Sequence, residues 1–517
     1  MTFRLRARPL RAAWTGGAIL LTAVLLWPAR PQVIRAGHPV QPTTLDPALT
    51  FETDSTLFVY NMFDTLVRLD PVTFRIKPSL ATSWKTENGG LVWVFKMRPG
   101  VRFHDGTPCN AEAVVFSFQR QLDPKFPYRY YSFPMFAELF PLLREVRKRA
   151  ELEVAFYLSE PFAPFLATLT VENASIVSPA AVIKYQRDFP RHPVGTGPYQ
   201  LKEWVAGKRL TMIANPVYWR GKPEIGEFTS IFEANTSQLE ALFKQEKIDL
   251  MFSFSISRMA GLRSLSWVGV EISPLLSCNF LALNMGRPHL KDRNVRRALN
   301  YLWDRRMLSY VFQDYVIPQP SFFPPQMIGQ ERATDAYGYS LARARQCLAA
   351  SGIRKEISLE FLAEEDGGLL LDVVKLYARN LKEAGIQLEI RRVSHAEYNR
   401  RFRQGEYDLT FSGWVADYPD PDNFASPFFS DTLQREGFAN FSSAPPGPLR
   451  DLVKRARIEA DPRKRNRLYQ TINSMVLDEA LFIPMYQDCN VTLYNRRIGR
   501  LVGNQLGKLS LFDIANR

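Results

Sequence analysis

One stretch of the chain concentrates residues that could meet a ligand: Gly413-Trp414-Val415-Ala416-Asp417-Tyr418-Pro419-Asp420-Pro421-Asp422-Asn423-Phe424. The run before it, Tyr407 to Ser412, has the apolar alternation of a strand. Asp417 therefore falls just past a strand end, beside a large aromatic and ahead of a proline turn. A carboxylate at such a place suits the rim of a cleft, where it could meet a cationic group. It equally suits a turn, capping the backbone ahead of Pro419. The residues alone leave both readings open.

The catalytic signatures that would point elsewhere are missing. There is no G-x-S-x-G, no H-E-x-x-H and no phosphate-binding Walker loop. Gly195-Thr196-Gly197 lacks the third glycine and following helix of a dinucleotide fingerprint. It reads as a turn that needs small residues. The five histidines (38, 104, 192, 289, 395) are scattered, and no pair has metal-ligand spacing on one element. His104, ahead of Asp105-Gly106, reads as a turn residue. Neither a catalytic role, a cofactor nor a metal is expected, so binding is favoured over catalysis.

The elements that must position Asp417 follow from periodicity. With 517 residues, 46% of them hydrophobic and 23% charged, the chain has room for two or three folded domains. Val33 to Thr50 reads as polar and proline-bearing, with Thr44-Leu45-Asp46-Pro47 a turn. Helices are expected over 56–67, after an Asn110 cap, over 236–245, after the Asp292 and Ser340 caps, over 369–384 and over 468–477. Arg450 to Arg467 reads as one helix with arginines outward. Strands are expected over 91–97, 199–204, 209–214, 248–252, 279–283, 357–362, 386–390, 410–414 and 483–486. Strands alternating with helices from residue 277 onward imply an α/β fold with a partly parallel sheet. Two such lobes joined by hinge strands would enclose a cleft.

The first 30 residues read as a signal peptide or N-terminal anchor. Arg4, Arg6, Arg8 and Arg11 precede an uncharged stretch from Ala12 to Trp27. The bulky Trp27 makes a poor cleavage site, and the first cysteine is Cys109, so a lipid anchor is not expected. The net charge is +14; five arginines and no acid in those 30 residues leave the remainder at +9. These charges are dispersed, without the stripe and interleaved aromatics that nucleic acid demands. The four cysteines are too few and scattered for a disulfide scaffold.

Six motifs in order carry a resemblance. They are Thr44-Leu45-Asp46-Pro47; Pro78-Ser79-Leu80-Ala81-Thr82-Ser83-Trp84; Phe95-Lys96-Met97-Arg98-Pro99-Gly100-Val101-Arg102-Phe103-His104-Asp105-Gly106-Thr107-Pro108; Gly195-Thr196-Gly197-Pro198-Tyr199; Val295-Arg296-Arg297-Ala298-Leu299; and the Asp417 stretch. From about residue 40 to 500, the chain resembles the dipeptide, oligopeptide and nickel class of extracellular solute-binding proteins of ABC importers, family 5. The resemblance implies a two-lobed flytrap with an extra third domain, mixed sheets and two hinge crossings. It implies domain I at 31–60, 190–272 and 487–517, domain II at 61–189 and domain III at 273–486. The implied function is capture of a short peptide or small amine by hinge closure, outside the cytoplasm, as a monomer serving a membrane permease and a separate ATPase. An envelope chaperone or sensor module on the same fold is the alternative.

The resemblance also implies site roles. Asp417 would pair with the ligand's ammonium. Ser412, Gly413, Trp414 and Val415 would meet the ligand main chain as an added strand. Phe51 and Thr53 would line the cleft from domain I. His395 would stand where peptide-binding members often place an aromatic, or else lie exposed ahead of a helix. The dipeptide class holds the ligand carboxylate with an arginine on the helix matching 369–384. Here that position reads Leu371-Asp372, so a ligand with a cationic end and no fixed anionic end fits better. Cys278 and Cys489 fall near the two implied hinge crossings, where they would either form a disulfide or remain free thiols.

Overall fold

The computed structural model describes residues 33–50, 52–70, 73, 75–252, 259–313, 315–327, 336–430, 447–499, 501, 503 and 505–515. The expected signal segment lies outside them. Among the described residues no helix is long and apolar enough to cross a membrane.

A mixed sheet of twelve strands runs through the molecule. At one end the parallel pair Ile357–Glu364 and Ile386–Val393 lies beside Leu409–Val415, which pairs antiparallel with Ser277–Leu283. At the other end Val33–His38 lies parallel to Glu227–Phe232, followed by the hairpin Arg209–Ala214 and Tyr199–Val205. One 14-residue strand, Phe482–Asn495, joins the two halves. Its first part pairs with Ser277–Leu283, and its last part with Val268–Pro274 and Leu250–Met251. The two crossings between the halves therefore run side by side. Leu275 N–H donates to the Asp488 carbonyl at 2.8 Å, and Ser277 Oγ accepts from Asp488 N–H at 2.8 Å.

A separate four-stranded antiparallel sheet is built from Ala81–Glu87, Val92–Met97, Glu153–Leu158 and Leu143–Ala150. The helix Ala111–Leu122 packs its apolar face into the same core, which is rich in phenylalanine: Phe95, Phe118, Phe140, Phe156 and Phe165. This four-stranded unit is fastened to the N-terminal segment by a buried ion pair. Arg120 donates from both Nη atoms to Asp46, at 2.9 and 2.6 Å, with both side chains almost wholly enclosed. Asp46 also accepts from Ala48 N–H at 3.0 Å, so the same carboxylate shapes the turn and docks it.

Local chemistry explains most of the elements. Asn110, Asp292 and Ser340 each accept a backbone N–H in the first turn of their helices, as expected from sequence. The glycines of the 195–197 turn are required by close approach: a Cβ at Gly197 would stand 2.5 Å from the Met62 carbonyl carbon. His104 is more than a turn residue. Its Nδ1 accepts from Gly195 N–H at 3.3 Å while Nε2 donates to the Gly197 carbonyl at 2.9 Å. Burial pushes its pKa down to about 4, so the ring is a neutral clamp on that turn.

Three expectations are corrected. Val33–His38 is a buried parallel strand rather than a polar segment. The helix expected from Thr56 to Val67 runs Thr53–Met62, and Val67–Leu69 is a strand. Arg450 to Arg467 is not one helix: Gly447–Ile458 ends, and Pro462–Asp478 starts afresh with Asp461 as N-cap and Pro462 in its first turn.

Removing one partner of the Asp46–Arg120 pair strands a charge in the core. Arg120→Met is expected to lower the unfolding free energy by about 3–5 kcal/mol in urea titration, and the Asp46→Asn/Arg120→Met double variant to recover part of that loss.

Candidate functional site

The strand Leu409–Val415 delivers Asp417. Its ladder to Ile357–Glu364 covers only Leu409 and Thr410, whereas its ladder to Ser277–Leu283 runs its full length. Beyond Thr410, on the side of the strand away from Ser277–Leu283, no further strand lies beside Ser412–Val415 among the described residues. Gly413 and Val415 are exposed there, Val415 by 50%. Gly413 also has a packing reason: a Cβ would come within 2.5 Å of Asn279 Oδ1. Asn279 in turn donates to Asp488 at 2.7 Å, on the crossing strand.

Past the strand, Ala416 N–H donates to the Leu276 carbonyl at 2.8 Å, and the chain turns. Asn423 organises the turn. Its Oδ1 accepts from Trp414 Nε1 at 3.0 Å and from Asp417 N–H at 2.9 Å; its Nδ2 donates to Asp417 Oδ2 at 3.2 Å. Asp420 takes a bidentate contact from Arg465, at 2.7 and 2.6 Å. The fully buried Asp422 accepts from Tyr418 Oη at 3.2 Å and Ser426 Oγ at 2.6 Å. Asp420 and Asp422 are thus occupied by the protein. Asp417 is the carboxylate of the motif that opens outward, with its backbone and one oxygen fixed and the rest of its surface free.

Asp417 lines a cavity of about 130 Å³. Ala416, Thr50, Glu52, Thr53, Glu172 and Lys508 share that lining, with Met135 and Leu139 of the four-stranded unit. Three carboxylates therefore face one ammonium. Lys508 is itself buried and paired with Glu172 at 2.7 Å. Asp417 stays open to solvent on one side, yet the surrounding walls push its pKa above the ordinary aspartate value; the Asn423 contact and the Lys508 charge pull the other way. A second, more enclosed cavity of about 60 Å³ lies behind Glu172, Leu506 and Lys508, lined also by Asp64, Arg68 and Arg220.

The sequence-derived residues divide. Asp417 and Thr53 face the same cavity, and Trp414 supports Asp417 through Asn423. Ser412, Gly413 and Val415 do not line the cavity; they form the open strand edge that leads to it. Phe51 lies outside the described residues. His395 is exposed, held by Glu364 at 3.1 Å and Asn399 at 2.9 Å, and is not in the cavity lining. On the helix Gly368–Glu383, Asp372 is exposed and pairs with Lys375 at 2.9 Å, and Arg379 is exposed. No arginine is among the residues lining the Asp417 cavity.

Glu172, Asn423 and Lys508 escaped the sequence reading, whereas Glu52 lies within the 51–54 segment expected to line the cleft. Asn423 stood inside the motif, six residues from Asp417, and was readable as a turn anchor. Glu172 and Lys508 are 336 residues apart, and nothing local marks them as partners.

Of the two states open to Cys278 and Cys489, the bridge is absent: both are free thiols. Cys278 is buried opposite Trp414, whereas Cys489 sits opposite Pro274 on the part of the long strand that serves the other half. Thiol titration in denaturant without reductant is expected to find four free thiols, and a count of two would restore a bridge.

Comparison with known proteins gives a consistent result. Residues 75–435 match the model of the bacterial extracellular solute-binding proteins, family 5 middle. The chain is 27% identical over 481 residues to a probable D,D-dipeptide-binding periplasmic protein of Escherichia coli K12, covering 91% of each chain. It is 29% identical over 447 residues to the dipeptide-binding protein of the same organism, covering 81% of this chain and 82% of that one. Among solved structures, HbpA2 from Haemophilus parasuis superposes with a TM-score of 0.84 at 23% identity, over 93% of this chain and 99% of that one. The fold is the two-lobed family 5 arrangement with its extra domain.

Proposed function

Because the chain belongs to the bacterial extracellular solute-binding proteins of family 5, we propose that it is the extracytoplasmic binding component of an ABC importer that captures a short peptide or small amine. The observation that carries the ligand class is the Asp417 cavity, where three carboxylates stand against one lysine that Glu172 already neutralises. A cationic group entering there gains a charge partner and relieves a desolvated carboxylate. The relatives named for dipeptide binding support the same reading.

In this reading Asp417 takes the ligand's ammonium, and the open edge of Ser412–Val415 takes its main chain as an added strand. Such contacts hold any peptide backbone without selecting side chains. The cavity of about 130 Å³ is smaller than the roughly 300–1,000 Å³ of a complete small-molecule site, so it receives one end of the ligand. The twin crossings around Leu275 and Asp488 supply the hinge for closure. The division into domain I (31–60, 190–272, 487–517), domain II (61–189) and domain III (273–486) agrees with the separate four-stranded sheet and with the crossing near residue 487. The protein works in the periplasm without turnover, as a monomer, and hands its ligand to a permease powered by a separate ATPase.

Native mass spectrometry of the purified protein is expected to show a co-purified ligand with a primary amine. By calorimetry, Asp417→Asn weakens binding of a free-amine dipeptide by at least about 10-fold, the scale of a charge-assisted hydrogen bond. Its N-acetyl analogue changes by less than about 2-fold. Equal losses for both ligands would remove Asp417 from the ligand.

The pH dependence has a definite sign. Burial raises the Asp417 pKa in the empty protein, and a bound ammonium lowers it by favouring the charged form. Affinity for the amine is therefore full above the raised value and falls as pH drops through it, by up to about 10-fold per unit. For the empty protein, the ionised form costs stability at neutral pH, and that cost fades as pH falls through the raised value. Calorimetric titration between pH 7 and 4 checks the slope, which Asp417→Asn should flatten.

A further inference from the structure

The loop bearing Asp417 does not stand alone on its own half of the molecule. The next residue, Tyr418, buries its ring in the phenylalanine core of the four-stranded unit, 7% exposed. Its hydroxyl donates to Asp422 at 3.2 Å. Asp422 faces Arg457, whose Nε lies 3.5 Å from Asp422 Oδ2. The Arg457 guanidinium rests over the Phe162 ring at 5.2 Å, and its carbonyl accepts from Ala163 N–H at 2.8 Å. Phe162 and Ala163 belong to the loop after the strand Glu153–Leu158, so this is a contact between separately built parts.

We propose that Tyr418 and Arg457 are positioning residues for Asp417, forming with Phe162 a latch by which docking of the four-stranded unit fixes where the ligand-facing carboxylate stands. The loop has two anchors on its own half, Asn423 on the backbone and Arg465 on Asp420. Asn423 also meets the Tyr418 side chain, and Asp420 N–H donates to the Tyr418 carbonyl at 2.8 Å. Beyond these local contacts, Tyr418 is held by the core it enters and by the carboxylate its hydroxyl meets. Since Asp417 and Tyr418 share a peptide bond, a shift of the ring moves the carboxylate. Asp422 needs Arg457 nearby because a fully buried carboxylate without a counter-charge is costly. Arg457 thus couples two things: the charge balance beneath the Asp417 turn, and the Phe162 face of the neighbouring unit. Met135 and Leu139, which share the cavity wall with Asp417, come from that same unit, so the latch also sets the width of the cavity.

This inference rests on Asp417 as the cation anchor, and the test separates the two. Two variants disturb the latch and spare the cavity lining. Arg457→Met removes the guanidinium while keeping the backbone contact to Ala163. Tyr418→Phe removes the hydroxyl while keeping the ring in the core. The probes are alanyl-alanine and N-acetyl-alanyl-alanine, with affinity and thermal midpoint measured for each protein. A positioning role predicts about a 5- to 30-fold loss for the free amine and less than about a 3-fold change for the acetylated form, with Arg457→Lys restoring much of the loss. A structural role alone would move both affinities together, and that result, or no loss in either variant, overturns the latch. If the unaltered protein does not distinguish the two probes, the reading of Asp417 fails. The latch is then judged by a ligand-free readout: the indole N–H resonance of Trp414, assigned with Trp414→Phe, reports the Asn423 contact that Asp417 shares. Because the Tyr418 side chain meets Asn423 directly, the deciding shift is the one expected in Arg457→Met, and an unmoved resonance there overturns the proposal. If Arg457→Met does not fold, Arg457→Gln takes its place.

Discussion

A single strand, Phe482–Asn495, has its backbone bonds divided between two halves of the molecule, and the remaining geometry follows from that division. Residues 482–486 complete the ladder of Ser277–Leu283, while 489–495 complete that of Val268–Pro274. Between them, Gln487 and Asp488 pair with Val316–Pro318 as the long strand passes from one ladder to the other. This crossing and its neighbour at Leu275–Leu276 are the two places where the chain passes between the halves side by side. Asn279 binds Asp488 there, and the Cβ space denied to Gly413 is filled by the same Asn279. The strand that carries the acidic motif is therefore packed directly against this crossing.

The acidic motif shows how one loop sorts three aspartates by environment. Asp420 is matched by a guanidinium fork, which satisfies both oxygens. Asp422 is wholly enclosed and shares its charge with Arg457 and two hydroxyls. Asp417 receives one amide donor and faces the cavity. Only the last has bonding capacity left for a ligand. Its raised pKa has the same cause as its usefulness: neighbouring walls that thin the water around it without supplying an unpaired counter-charge of their own. A protein built only for stability would have paired it.

Much of the fold was readable because local rules decided it. Asn110, Asp292 and Ser340 announced helix starts, and Arg209–Ala214 was delimited by its own alternation. The misreadings have physical causes. Val33–His38 lies between Pro31 and Pro39, which made a buried strand look like a loop. Asp461-Pro462 is a helix start inside a continuous basic stretch, and the arginines on either side concealed it. The 14-residue length of Phe482–Asn495 was hidden because its second part is polar, which a strand joining two halves tolerates. The Asp417 motif was legible because one carboxylate, its backbone anchor and its aromatic support lie within ten residues of one another. Glu172 and Lys508 were not, because folding alone brings distant segments to one wall.

That contrast bears on what a binding site of this kind must contain. A local motif can orient one carboxylate, but it cannot decide how much water remains around it. Desolvation comes from the opposite walls: the segment around Thr53, the helix with Met135 and Leu139, and the C-terminal Lys508. If the four-stranded unit stood further away, Asp417 would be more fully hydrated, and its attraction to an amine would weaken further toward the value of a surface pair. The unit that lies outside the long sheet is in this sense part of the site. Its phenylalanine core receives Tyr418, and its edge supplies the wall that makes the neighbouring carboxylate worth pairing.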